Sequence, residues 1–459
     1  MTVGAPPQSP QSPPAPRWRL TVAQTGAAVV GFLTAGAGVI AGHADVVVMG
    51  LPLLGLAAWA WDRRPLAARA EEPATDASPA APATAQLTAD RTARDRSIGY
   101  RLRIETPAGV EAVQLRVLEL GVRPRLHVLA ASPGRPVDVR GRVPALHSGP
   151  QRVVAADWRL VATGGALLTD VTDPIAVDRT IDPAFSPIGA LPLPPRLTGL
   201  TGTHDSSRPG DGGDFHDIDR FRPGDRLRRI DWKATARLAR DPGELYVRRT
   251  RAQADATVFV VLDSADDLGE NVDTWARFDP VNSGTTSLDI GRAAASSIAA
   301  GYLRQGDRVA LADLAVPGRV VRPAAGARHL DRLLRAIAGT RPSGATRATR
   351  RPPIISQGAA VFLLSTFLDD HPAASALQLA ATGHRVIAVD VLPRAHIDGL
   401  VVERRVAHRL VMMDRDNRLA AVRRGGVDVL EWGLARDDPE RAATLLALAQ
   451  SRHPSAVMR

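Results

Sequence analysis

The hydrophobic pattern changes period along the chain. From Leu20 to Gly42 no charged residue interrupts an apolar run, long enough as a helix to span a bilayer core of about 30 Å. A second apolar run extends from Val46 to Trp61, after His43, Ala44 and Asp45. Neither run shows the polar stripe of a surface helix, so together they predict a two-helix membrane hairpin over 18–61 rather than a pair of core helices. From about Gly99 the period falls to two. "YRLRIE", "VEAVQLRVLEL", "RLHVLA", "RPVDVRGRV" and "QRVVAADWRLVAT" alternate apolar and polar positions between Pro/Gly turns. Several short strands at this spacing predict an all-β, sandwich-like domain over 98–199, closed by "LPLPPRLTGL". From Asp255 onward the strands become continuously apolar: "ATVFVVLDS", "DRVALADLA", "AAVFLLST", "HRVIAVDVL" and "GVDVLEW". They alternate with the helical stretches "SLDIGRAAASSIAAGYLRQ", "ARHLDRLLRAIAG", "AASALQLAATG" and "PERAATLLALAQSR". That pattern predicts an α/β domain over 255–459 with a mostly parallel sheet covered on both faces.

Polar segments fill the intervals. Residues 1–17 are rich in Pro, Ser and Gln and read as a disordered tail. Residues 62–97 read as an Ala/Pro/Thr-rich linker, and 200–254 as a charged signature segment. Trp18 at one end of the hairpin, and Trp59 and Trp61 at the other, fit an interfacial aromatic belt. Arg17 and Arg19 precede the hairpin and Arg63, Arg64 and Arg69 follow it. The positive-inside rule then predicts a multi-pass cell-membrane protein with both termini and the soluble domains in the cytoplasm. A signal peptide fits less well, because a second apolar run follows and no small-residue cleavage site leads into an exported domain.

Composition narrows the chemistry. The chain has no cysteine, which excludes disulfides, thiolate metal sites and cysteine nucleophiles. Its single lysine, Lys233, lies between Trp232 and Ala234, which excludes a Walker A loop. The formal net charge of +10 is carried by arginine and favours an anionic partner, lipid or nucleic acid. Asp217, Asp219, Asp225, Asp231 and Asp241 interleave with the arginines of the signature segment and weigh against nucleic acid. His204, Asp205, Ser206 and Ser207 read as an exposed turn, since no Gly-x-Ser-x-Gly elbow is present. His216, between Asp214 and Asp217, reads as part of a polar loop because no paired metal-ligand spacing accompanies it.

The densest charge lies in "DIDRFRPGDRLRRIDWKATARL", residues 217–238. Pro223-Gly224 predicts a type II turn. "RLRRIDW" alternates as a strand would, with Leu227, Arg229 and Asp231 on one face and Arg228, Ile230 and Trp232 on the other. Each face mixes charge and apolar surface. The segment therefore reads as a structural joint with Trp232 buried and Arg and Asp paired. It also presents a partner surface built from Phe221, Gly224, Asp225, Arg228, Arg229, Asp231, Trp232 and Arg237.

This segment resembles the bacterial domain-of-unknown-function family 58. The shared pattern is an aromatic, two residues, Gly-Asp, then Arg-x-Ile-x-Trp and a terminal Ala-Arg. Here it is Phe221, Gly224-Asp225, Arg228 or Arg229, Ile230, Trp232 and Ala236-Arg237. "GTHDSSRPGDGGDFHDI" and "LYVRRT" look like the same family's flanking segments, and Asp219 departs from it where an arginine is usual. The resemblance implies a C-terminal domain similar to a von Willebrand factor A domain. It also implies a non-enzymatic scaffold or adaptor that works with a MoxR-type AAA+ ATPase in assembly or maturation of envelope-associated proteins. A von Willebrand A domain binds a divalent ion through Asp-x-Ser-x-Ser, a later Thr and a later Asp. In this chain Asp263 matches, Ala265 and Asp267 replace the serines, Thr285 or Thr286 would supply the threonine, and Thr366 stands where the later Asp belongs, with Asp369 and Asp370 beyond. An octahedral Mg²⁺ needs most of its oxygen ligands in place, so weak or absent Mg²⁺ binding and no catalytic residues are expected. Two other readings stay open: a divalent-metal-dependent binding domain or enzyme using Asp263, and a nucleic-acid-binding membrane protein.

Overall fold

The computed structural model describes residues 17–62, 84–90, 96–186, 188–189, 191–195, 197, 202, 204–241, 243–276, 279, 281–344, 353–432 and 439–450. The tail 1–16 and the arginines Arg63, Arg64 and Arg69 lie outside these residues. The chain divides into two units, one of residues 1–146 and 151–179, the other of residues 147–150 and 180–459.

The first unit begins with a short strand, β1 (Trp18–Leu20), followed by the apolar helices α1 (Val22–Ala41) and α2 (Ala44–Asp62). Thr21 caps α1 by accepting a hydrogen bond from the Gln24 amide. Glycines let the two helices approach closely. A Cβ at Gly31 would lie 2.8 Å from the Leu53 Cβ, and one at Gly50 would lie 2.6 Å from the Gly31 carbonyl oxygen. Such small-residue contacts are how apolar helices pair without a hydrophobic driving force between them. Phe32, Leu33, Ile40 and Met49 point outward, each more than 60% exposed. Among the described residues only α1 is a helix long and apolar enough to cross a membrane; the apolar part of α2, Ala44–Ala60, is shorter. Trp18 lies in β1, a strand of the β body, rather than in α1.

That body follows in β2 (Thr84–Ala89), β3 (Ser97–Glu105), β4 (Ala112–Glu119), β5 (Arg125–Ala130), β6 (Val137–Pro144), β7 (Gly149–Ala162), β8 (Leu167–Thr169) and β9 (Ile175–Ile181). One antiparallel sheet runs β1-β8-β7-β4-β5 with β9 also on β7, and a second runs β2-β3-β6. The interval expected as a linker therefore contains a strand, and the sheet starts before the helices. Alternation does what the sequence pattern predicts: Ile98, Tyr100, Leu102 and Ile104 of β3, and Val113, Leu115 and Val117 of β4, are buried. The Tyr100 hydroxyl donates to Glu119 across 2.6 Å and joins the two sheets.

The second unit is built on β12 (Thr257–Leu262), β13 (Arg308–Asp313), β14 (Val320–Ala324), β15 (Ala360–Ser365), β16 (Arg385–Asp390) and β17 (Asp428–Glu431), in the order β14-β13-β12-β15-β16-β17. All neighbours pair in parallel except β14, an antiparallel edge. Val258, Val260 and Leu262 pack on one face under α4 (Ser287–Arg304), α5 (Ala327–Ala338) and α8 (Pro439–Gln450). Phe259 and Val261 pack on the other under α6 (Asp370–Ala381) and α7 (Val402–Arg424). Leu191, Leu193 and Leu197 also join the first of these cores. "LPLPPRLTGL" therefore opens the α/β unit rather than closing the β body, and the boundary lies near residue 180. Buried Arg385 fastens this segment by donating to the Leu193 carbonyl at 2.9 Å.

Candidate functional site

The signature segment lies in a long hairpin of β10 (His204–Arg220) and β11 (Tyr246–Ala254), whose second strand runs into the amino end of β12. The register slips at three places, between Asp205 and Pro209, Gly210 and Phe215, and Phe215 and Asp217. Glycines and a proline in this stretch suit such bulges. The turn expected at His204–Ser207 is thus the start of a strand, although the side chains of 205–214 lie outside the described residues. His204 instead pins the hairpin base: its Nε2 lies 3.0 Å from Asp307, whose other oxygen accepts the Ala256 amide at 2.8 Å. His216 is part of β10, not of a loop.

At the far end, Arg222 to Asp225 form the predicted turn, with the Asp225 amide donating to the Arg222 carbonyl and Gly224 at φ 104°. That left-handed φ is the type II requirement at this position. Arg249, on β11, reaches Asp219 at 2.7 Å and Asp225 at 3.6 Å. The Arg220 amide, opposed by burial and aided by Arg249 and Arg222, holds the Asp219 carboxyl below its ordinary value. Arg220 in turn pairs with Glu244 at 2.8 Å. These contacts use up the acids nearest the turn.

The strand expected at "RLRRIDW" is not formed. Leu227–Arg229 make a 3₁₀ turn and Trp232–Leu238 a short helix, α3. Asp231 is its N-cap, accepting the Ala234 amide at 2.9 Å, so it stands in a cap rather than in an ion pair. Ala, Leu, Arg and Lys after a capping Asp favour helix, and this local signal outweighs the two-residue alternation. As a result Trp232 is 68% exposed and Leu227 70%, not buried. Phe221 is half-buried, with its amide on the Leu245 carbonyl. Arg228, Lys233 and Arg237 are exposed, and Arg229 is half-buried. The structural-joint expectation is corrected to an outward-facing aromatic on a basic surface. Asp231→Ala is accordingly expected to cost about 1 kcal/mol, the usual worth of an N-cap, in thermal unfolding of the full chain.

The opposite end of the sheet carries the Asp263 group. In doubly wound sheets the crevice beyond the strands' carboxyl ends, where the chain reverses its direction of winding, is the usual ligand site. That point lies between β12 and β15. Asp263 accepts the Ser365 hydroxyl at 2.8 Å and the Ala265 amide at 3.2 Å. Ser264 donates to both oxygens of Asp313 at 2.7 and 2.9 Å. The loop at 343–344 lies on top: the amides of Ser343 and Gly344 donate to the carbonyls of Ser264 and Ala265. Burial pushes the Asp267 and Asp313 carboxyls up. Thr286 is the N-cap of α4 in a reciprocal capping box with Asp289. Asp390 pairs with Arg415 of α7, whose Nε also donates to the Thr366 carbonyl at 2.8 Å.

Beside this edge, Asp289 accepts His147 Nδ1 at 2.7 Å and both the amide and hydroxyl of Ser148. Buried Arg292 donates to the Ser148 and Thr340 carbonyls at 2.9 and 2.8 Å. Burial pushes the Asp289 carboxyl up, but His147 and Ser148 outweigh it and hold the group below its ordinary value. Nothing in the sequence pattern marked His147, Asp289 and Arg292, because residues 147 and 289 meet only through the fold.

A magnesium site of the von Willebrand type does not fit these residues. Ala265 has no ligand atom, the Thr286 hydroxyl is used in the capping box, and Asp263 already accepts two protein donors. Among the described residues no three His, Asp or Glu side chains converge as a metal cluster.

The second unit is therefore a doubly wound α/β domain with one antiparallel edge, carrying a charged hairpin at its amino end. Residues 217–398 match the family described as "Protein of unknown function DUF58". The chain carries a domain of this family, in agreement with the motif from Phe221 to Arg237. No curated protein matches the chain.

Proposed function

We propose that the protein is a membrane-anchored, non-catalytic adaptor whose partner-docking surface is centred on Trp232. The carrying observation is an indole left 68% exposed at the start of α3, whose N-cap Asp231 holds the helix end in place. A Trp amid arginines is the usual composition of an interface hot spot. Arg228, Lys233 and Arg237 form no ion pair among the described residues and favour an acidic rim on the partner. In the anchoring part of this reading α1 crosses the bilayer, α2 returns the chain, and both termini with the soluble units are cytoplasmic. The antiparallel edge and strand order of the α/β unit support its likeness to a von Willebrand A domain, and the family likeness points to a MoxR-type AAA+ ATPase as the partner.

Affinity capture from detergent extracts, with full-length wild type and Trp232→Ala as baits, tests this. The ATPase is expected on the wild type and reduced at least tenfold on the variant, about 1.4 kcal/mol or more. The melting temperature should stay the same, since an exposed side chain contributes little to stability. Absence of the ATPase from the wild-type capture, or equal recovery on both baits, would overturn the reading.

A further inference from the structure

Helix α5 is one-sided. His329, Leu333 and Ile337 are buried, and the His329 Nε2 lies 2.7 Å from the Val309 carbonyl oxygen of β13. At about 100° per residue, Arg328, Arg332 and Arg335 share the opposite, exposed face. Their i, i+4, i+7 spacing makes a stripe about 10 Å long. None of the three is in an ion pair among the described residues. Arg335 donates instead to the Asp331 carbonyl, at 3.2 Å.

The surroundings do not balance this charge. Asp331, on the flank of the stripe, is the exposed acid of the helix. On β13, Arg308 pairs with Asp255, and Asp313 is shared by Ser264 and Arg319. Asp307, just before that strand, is buried against His204. On α4, Asp289 is held by His147 and Ser148, Arg292 is buried and Arg304 is exposed. Strand β14 adds exposed Arg322, and the loop after α5 adds exposed Arg341. In sequence, 319–351 holds nine arginines against one aspartate, so +8 of the chain's formal +10 falls in this stretch. Arg347, Arg350 and Arg351 of it lie outside the described residues.

The residue types define the partner. The stretch has no Phe, Trp or Tyr on which a base could stack, and no Asn or Gln to read a base edge. It offers charge alone, which is all that a layer of anionic headgroups requires. Each arginine held near such a surface favours contact about fivefold, and three together on the order of a hundredfold.

We propose that the α5 stripe rests on the anionic headgroups of the bilayer that α1 crosses. The inference rests on the anchoring part of the adaptor reading, which sets the unit in the compartment of the anionic cytoplasmic leaflet, and it uses a surface other than Trp232.

The chain has no cysteine, so one fluorophore can be attached to the full-length protein at Ala327→Cys, at the exposed start of α5. The probe is a nanodisc carrying a quencher on its headgroups, of phosphatidylcholine alone or with about 30% phosphatidylserine. Quenching is expected to be at least threefold greater with phosphatidylserine at about 0.1 M salt, and to vanish at about 1 M, where the Debye length falls to about 3 Å. The triple variant Arg328→Glu/Arg332→Glu/Arg335→Glu should abolish it with an unchanged melting temperature, and lysine at the same three positions should keep it. A label at exposed Asn417→Cys, on the helix that covers the other face of the sheet, should stay bright. Equal quenching in the two lipids, equal quenching at Asn417→Cys, or quenching that survives the triple glutamate variant overturns the proposal. So does no quenching together with binding of a short fluorescent DNA duplex that the triple variant loses, which assigns the stripe to nucleic acid. Retention in phosphatidylcholine discs at about 1 M salt reads the anchor by itself, so a failed anchor and a failed stripe give different results.

Discussion

Replacing Arg415 with methionine is expected to destabilise the α/β unit by about 3–5 kcal/mol, the usual cost of removing one partner of a buried ion pair. Arg415 and Asp390 are 9% and 11% exposed at the side chain. The guanidinium carries two duties, pairing with Asp390 at the end of β16 and donating to the Thr366 carbonyl beyond β15. Its loss leaves a carboxylate in a site with little water and frees a buried carbonyl. The measurement is the melting of the full-length protein, where a drop on the order of 10 °C is expected for a unit of this size. The double variant Arg415→Met/Asp390→Leu separates charge from packing. Apolar replacement of both members of a buried pair is often nearly neutral. Asp390 also accepts the Leu392 amide at 3.0 Å, so a deficit of about 1–2 kcal/mol should persist for that unpaired donor. A double variant as unstable as the single one would mean that Arg415 acts by shape, not by charge.

Asp289→Ala is expected to cost a similar amount, about 3–5 kcal/mol, since it strips Arg292 of its nearby carboxylate and orphans the Ser148 amide and hydroxyl. It should also change the response to acid. Asp289 is held below its ordinary value in the folded chain. Its contribution is therefore complete above the unfolded value, near 3.9, and is lost as pH falls through the lower folded value. Wild type should lose stability across that acidic window, and Asp289→Ala should show a shallower loss there. Melting temperatures measured from neutral pH downward check the slope. Equal slopes would show that other carboxylates dominate the acid limb.

The α/β sheet is legible in the sequence because its strands are buried on both faces and read as unbroken apolar runs, as in "ATVFVVLDS" and "HRVIAVDVL". The β3 and β4 strands are legible for the opposite reason, with one wet face and strict alternation. Alternation misleads at "RLRRIDW", where one capping carboxylate on Asp231 and five following helix formers decide the conformation. Helix α7 escapes detection because apolar residues on both its sides cancel the 3.6-residue period that marks an amphipathic helix. Strand β1 is three residues long and stands against an apolar helix, so no pattern can emerge there. Of the candidate site, the turn at Gly224 and the residues from Phe221 to Arg237 are readable as a motif. Their exposure is not, because it depends on which side of α3 faces β11. The carboxyl-edge contacts of Asp263, Ser365 and Asp313 join residues up to 102 positions apart and follow only from strand order.

The pairing of β1 with β8 imposes a parity on the chain. Trp18, Arg19 and Leu20 are hydrogen-bonded in register with Thr169, Leu168 and Leu167, and the Thr21 amide donates to the Ala166 carbonyl at 2.9 Å. One sheet cannot have strands on both sides of a bilayer, so the path from Leu20 to Leu167 must begin and end in the same compartment. The number of crossings in between is even. A single passage by α1 alone is incompatible with the sheet, and a chain inserted with only one crossing would present β8 to the wrong compartment and leave its edge bare. Residues 18–20 cannot find this pairing until residues 167–169 have been made, and the β body can close only when both segments lie in the same compartment.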